Sequence, residues 1–134
     1  PLSLVLRRKA SRPRPLFQVR LFVDLMEEKN ITNIEAINLE ELSSDIGVFI
    51  IGTALNERHA KTVSDVIEEK AKENDIEIHN IEGYDTGKWI LIDLYDIIIH
   101  IFTQNERKTY DLEKLWRDGK FILKDIQKKD KEND

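Results

Sequence analysis

Apolar positions along this chain recur with two periods, and the switches between them outline the fold. Val19, Phe22, Val23 and Met26 stand at helical spacing and predict a first helix ending near Lys29. Residues 34–39 (IEAINL) alternate with period two, the pattern of a strand with one face in the core. Residues 47–52 (GVFIIG) form an apolar run bracketed by glycines, which predicts a buried strand. Asn56 offers an N-cap to a second helix reaching about Asn74, with His59, Val63, Val66, Ile67 and Ala71 along one face. The pairs Glu57 with Lys61 and Glu68 with Lys72 support it at i,i+4 on the wet side.

Alternation returns in residues 76–82 (IEIHNIE). Gly83 and Gly87 enclose a turn, followed by two strands rich in β-branched residues, 88–94 (KWILIDL) and 97–102 (IIIHIF). Only Tyr95 and Asp96 separate those two, which requires a tight hairpin. A short helix, 111–116 (DLEKLW), closes the series. The order αββαβββα predicts an α/β fold of the α+β type. It has a mixed sheet of about five strands, helices on both faces, and the last two strands placed centrally.

At 134 residues the chain suits one domain. We place that domain at 17–123, between a basic, proline-containing segment at 1–16 and a charged, flexible tail at 124–134. The basic segment admits three origins: an organellar transit peptide, an arm touching RNA, or sequence extraneous to the natural protein. Residues 1–23 hold six basic groups and no acid, whereas 24–134 hold 15 basic and 26 acidic groups, a charge of −11. An acidic body is repelled by phosphate backbones and drawn to basic surfaces, so the folded part has no expected nucleic-acid specificity. No apolar run reaches membrane-spanning length, so no membrane partner is expected. The absence of cysteine excludes disulfides, Cys–zinc sites and thiol catalysis.

Few residues suggest chemistry. His59, His79 and His100 fall on three elements with no HxxxH or HExxH spacing, so packed histidines are expected and no metal site. Gly52-Thr53 before a helix could receive an anion at its N-terminus, but neither a GxxxxGK[ST] nor a GxGxxG pattern is present, and a glycine there also serves as a simple turn. Asp93 and Asp96 resemble a catalytic carboxylate pair. Their i,i+3 separation puts them on opposite faces of a continuous strand, and an Asp at a hairpin commonly caps the turn. Trp116 shares helical spacing with Leu112 and Leu115, which points to the core. Trp89 opens a strand beside a surface turn, where a large aromatic serves either as core or as a binding hot spot.

Taken together, these segments resemble the Iojap/RsfS family of ribosomal silencing factors. The likeness runs in order through residues 18–120. It is carried by GTALNERHAKTVSD from Gly52 to Asp65, Glu68-Glu69-Lys70, Glu82-Gly83-Tyr84, Gly87-Lys88-Trp89, Asp93-Leu94-Tyr95-Asp96, the segment 97–102, Glu106-Arg107 and 110–116.

The resemblance implies a topology related to nucleotidyltransferases without their catalytic residues, and a protein with no cofactor and no catalysis. It implies binding to the large ribosomal subunit through ribosomal protein fourteen, blocking subunit joining and repressing translation when nutrients are scarce. Trp89 and Leu94 match positions associated with that contact, with Asp93, Tyr95, Asp96 and His100 as neighbours. Organellar relatives act in large-subunit assembly, which keeps a mitochondrial or plastid location open beside a cytoplasmic one. A divergent nucleotidyltransferase using Asp93 and Asp96 is the competing function, and homodimerisation is compatible with the silencing reading. Two departures stand out: Tyr95 replaces a usual glycine, and Ser43-Ser44-Asp45-Ile46 shuffles the usual serine–isoleucine–alanine–aspartate segment.

Overall fold

The computed structural model describes residues 15–42 and 47–126. Most of the basic segment, the shuffled 43–46 loop and most of the charged tail lie outside the described residues. Helix α1 spans Pro15–Glu28, followed by β1 (Thr32–Asn38), β2 (Val48–Ala54), α2 (Glu57–Glu73), β3 (Asn80–Glu82), β4 (Trp89–Asp93) and β5 (Ile97–Thr103). Two short helices, α3 (Gln104–Thr109) and α4 (Leu112–Leu115), precede β6 (Lys120–Phe121). The strands form one sheet in the order β3-β4-β5-β2-β1-β6. It is mixed: β2 and β5 run parallel at its centre, and the other pairs are antiparallel.

The register divides the sheet into two unlike faces. Ile90 and Ile92 of β4, Ile97, Ile99 and Ile101 of β5, and Val48 and Ile50 of β2 point to one side. There they pack with Val19, Phe22 and Met26 of α1 and Val63, Ile67 and Ala71 of α2. Each such aliphatic side chain contributes ~1.5–3 kcal/mol when fully buried, so this layer carries most of the fold's stability. The opposite face holds Ile37, Phe49, Ile51 and Phe102, covered by Leu112 and Trp116 from the α4 turn. Helices thus lie on both faces, long ones on the aliphatic side and short ones on the aromatic side.

Gly52 lies inside β2, and it is neither a turn nor a phosphate cradle. A Cβ there would stand 2.9 Å from Met26 Cε and closer still to Ile31 Cγ2, so its bare backbone admits α1 against the sheet. Asn56 caps α2 as its position predicts, its Oδ1 accepting from the His59 N–H at 2.8 Å. Of the two expected side-chain pairs, Lys72 and Glu68 meet at 3.8 Å.

The expected strand 76–82 shortens to three residues for a specific reason. Asp75 adopts a left-handed conformation (φ 55°), its N–H bonds to Lys72 O, and the Ile76 N–H bonds to Ala71 O at 2.8 Å. That is a Schellman cap, and Ile76 is its apolar closing residue rather than the start of a strand. The same device ends α1, through Asn30 (φ 68°) and Ile31, whose N–H bonds to Met26 O.

The sheet has six strands where about five were expected, because Lys120 and Phe121 pair with Asn38 and Ile37. Leu115 is 71% exposed, so only Leu112 and Trp116 of the expected apolar trio pack inward. Near the end of the described residues Ile122 is buried, and Ile126 packs on the core with its N–H bonded to Ile122 O.

Candidate functional site

The aromatic face is incompletely covered. Towards β3 and β4 it presents Trp89, Leu91 and Asp93 beside Ile98 and His100, with Asn80 and Glu82 on the edge strand. Trp89, Leu91, Asp93 and Ile98 are half-buried and Glu82 is exposed. This gives a small apolar centre with acidic flanks. Leu91 and Ile98 extend the predicted residue set, and the period-two rule applied from Trp89 and His100 would have found both.

Trp89 is positioned by the turn before it and by the strand beside it. Gly83 has φ 79°, and a Cβ there would collide with the Trp89 carbonyl oxygen, so the turn closes only with glycine. Across the hairpin Trp89 faces Phe102, with ring centroids 4.8 Å apart. Tyr110, the residue after α3, brings its ring to 4.8 Å from the indole and stays 46% exposed. Diagonally, the indole N–H donates to His100 Nδ1 at 3.1 Å.

His100 is 3% exposed, with Phe49 edge-on at 4.6 Å. Burial holds its pKa down to about 4, so the ring is neutral near pH 7. Because Nδ1 accepts, the neutral ring carries its proton on Nε2, and that buried nitrogen has no hydrogen-bond partner among the described residues. An unmet buried donor of this kind costs ~1–3 kcal/mol.

The hairpin collects the remaining predicted residues but gives them different environments. Asp93 Oδ1 accepts the Tyr95 N–H at 2.8 Å and so caps the turn. Tyr95 keeps the left-handed backbone (φ 74°) that a glycine would adopt freely. Asp96 is half-buried, and its carbonyl receives the Val48 N–H at 2.9 Å. Leu94 is 3% exposed within the aliphatic core. Trp89, Asp93, Tyr95 and Asp96 are therefore partly accessible, whereas Leu94 and His100 are enclosed within the protein.

The three histidines stand apart. His59 Nδ1 accepts from the Leu55 N–H at 2.9 Å and Nε2 donates to Lys29 O at 2.7 Å, tying the start of α2 to the end of α1. His79 lies beside Tyr95. Among the described residues no group of three or more His, Asp or Glu is placed to hold a metal ion. None of their helices is long and apolar enough to cross a membrane.

Thr53 meets Arg107. The guanidinium donates to Thr53 Oγ1 and to Glu113 Oε1, both at 2.9 Å. Beside it lies a polar cavity of about 650 Å³ bordered by Asn33, Glu35 and Asp111. Burial, and then the neighbouring Glu113, raise the Glu35 carboxyl above its usual range, against the pull of Arg107 and Lys124. Tyr84 and Asp65 also meet, through a 3.1 Å hydrogen bond. Segments far apart in the chain thus touch in pairs: Thr53 with Arg107, Asp65 with Tyr84, Trp89 with His100.

The chain is similar to several known proteins. A ribosomal silencing factor RsfS of Halalkalibacterium halodurans is 34% identical over 101 residues, covering 75% of this chain and 86% of that protein. Another from Bacillus subtilis is 34% identical, covering 69% and 79%. A mouse protein named for mitochondrial assembly of the ribosomal large subunit is 28% identical, over 75% of this chain and 45% of its own. A crystal structure from Chromobacterium violaceum matches with a TM-score of 0.71 at 28% identity, covering 73% and 82%. The family described as "Ribosomal silencing factor during starvation" matches residues 12–134, and the chain belongs to that family.

Proposed function

We propose that this chain binds the large ribosomal subunit at ribosomal protein fourteen through the Trp89 face, and that its bulk there blocks subunit joining and represses translation. The observation that carries this reading is the unequal cover of the sheet. One face is sealed by two long helices, while the other leaves a half-buried tryptophan with Leu91 and Ile98 at the β3–β4 side. An aromatic anchor at the centre of a polar rim is the usual anatomy of a protein-binding hot spot. Asp93, Glu82 and the −11 charge of residues 24–134 suit a basic protein surface. Leu94 supports the contact from behind by anchoring the hairpin in the core. The action is steric and needs neither cofactor nor catalysis.

Sedimentation tests it. The protein should travel with free large subunits and not with joined ribosomes, and equal sedimentation with both would sink the blocking mechanism. Trp89→Ala should weaken the association by about 2 kcal/mol or more. Unchanged binding by a folded variant would assign Trp89 to packing alone.

The name of the mouse relative favours a second reading, large-subunit assembly in an organelle, with residues 1–16 as a transit peptide. Under that reading a tagged full chain enters mitochondria or plastids and sediments with immature large subunits. Under the first it stays in the cytoplasm.

A further inference from the structure

The Trp89–His100 pair is built at the expense of the fold. His100 lies among Phe49, Phe102 and Trp89, where a purely apolar ring would fit without an unmet donor. Its Nδ1 accepts one hydrogen bond, from the Trp89 indole. Its other nitrogen is buried with no partner among the described residues. Polar groups retained in a core against stability mark places where sequence is held for function. Trp89 is also the side chain on the open face that most needs orienting. An indole free to rotate would lose entropy on docking and could turn its N–H outward, demanding an acceptor from the partner.

We propose that His100 is a positioning residue for docking, holding the Trp89 indole in one orientation with its N–H turned into the protein. The partner then meets a fixed carbon surface, bounded by the exposed Tyr110 ring and the Asp93 carboxylate. The matching surface is apolar at its centre, basic at its margin, and offers no acceptor to the indole. This inference rests on the reading of the Trp89 face as the docking surface.

Binding to isolated bacterial large ribosomal subunits, thermal melting and indole N–H exchange by NMR in a Trp116→Phe background test it together. His100→Phe keeps the ring contacts and removes the acceptor. His100→Asn keeps an acceptor oxygen near the place of Nδ1. The expected result is that His100→Phe melts at or above the parent temperature, loses about tenfold in affinity, and frees the Trp89 indole N–H to exchange. His100→Asn should recover most of the affinity and the protection. In a Trp89→Phe background, which has no indole N–H, His100→Phe should change affinity less than twofold.

Parent-level affinity in His100→Phe overturns the proposal, as does an equal loss in the Trp89→Phe background. A lowered melting temperature with lost binding that His100→Asn does not recover makes His100 merely structural. If Trp89→Ala binds as the parent does, the docking reading itself fails, and it does so whatever the exchange measurement shows for the hydrogen bond.

Discussion

The ring of Tyr95 lies 4.9 Å from that of His79, with its phenol oxygen 3.3 Å from Nδ1. This contact joins the β4–β5 hairpin tip to the chain just before β3, and it accompanies a backbone at φ 74°. A side chain with a Cβ in that region is strained by ~1–2 kcal/mol, and an aromatic pair returns ~0.5–1.5 kcal/mol. Tyr95→Gly removes both terms, so urea unfolding should show a change below about 1 kcal/mol. Tyr95→Val keeps the strain, adds a β-branch and loses the ring, and should destabilise by about 2 kcal/mol. Equal effects of the two substitutions would separate Tyr95 from the backbone strain argued for it.

Gly83→Ala forces a Cβ into a left-handed turn and against the Trp89 carbonyl. The expected loss is about 2 kcal/mol or more of stability. Because the collision falls on the residue that opens β4, affinity for large subunits should fall as well. A variant that melts early yet binds normally would detach the turn from the docking face.

Arg107 is 12% exposed in its side chain and bridges Thr53 and Glu113. Arg107→Met leaves Glu35 and Glu113 facing each other without their shared cation, and should cost about 2 kcal/mol in denaturant unfolding. Arg107→Lys should recover little, because an ammonium lacks the planar fork that donates to both partners at once. Full recovery by lysine would reduce the bridge to net charge.

His100 sets an acid limb on stability. Its unfolded form takes up a proton near pH 6.5, whereas burial delays protonation of the folded form until about pH 4. The unfolded state therefore binds more protons between those values, so this contribution is whole above pH 6.5 and is lost as pH falls towards 4. The amount at stake is about 3 kcal/mol. Melting curves of the parent should drop more steeply between pH 7 and pH 4 than those of His100→Phe; parallel curves would contradict the assignment.

Legibility in the sequence followed the range of the interactions. Helix α2 was visible because Asn56 caps it and Val63, Ile67 and Ala71 repeat on one face. Strand β2 was visible because a fully buried strand needs an unbroken apolar run. The helix ends fall within one residue of Lys29 and Asn74, where the pattern put them, but the device that makes them was hidden, since Asn30 and Asp75 do the work usually given to glycine and look like ordinary polar residues. Lys120 and Phe121 are too few to show a period.

At the candidate site, Trp89, Asp93 and Tyr95 could be singled out from the resemblance, and Tyr95 was conspicuous as a departure from glycine. What the sequence withheld was pairing. The bond from Trp89 to His100 depends on the antiparallel register of β4 with β5, and that from Arg107 to Thr53 spans 54 positions. The burial of Leu94 follows from the same register, which turns it away from Trp89 and into the aliphatic layer.

The two faces of the sheet also age differently. Isoleucine, valine and alanine on the helix-covered side answer to one another through close packing, so a change there disturbs many neighbours at once. The residues at the open β3–β4 side, Leu91 and Glu82 among them, have few such obligations. A substitution at Leu91 or Glu82 can therefore change what docks there while the scaffold stands still, which makes the open side the place where recognition and folding separate.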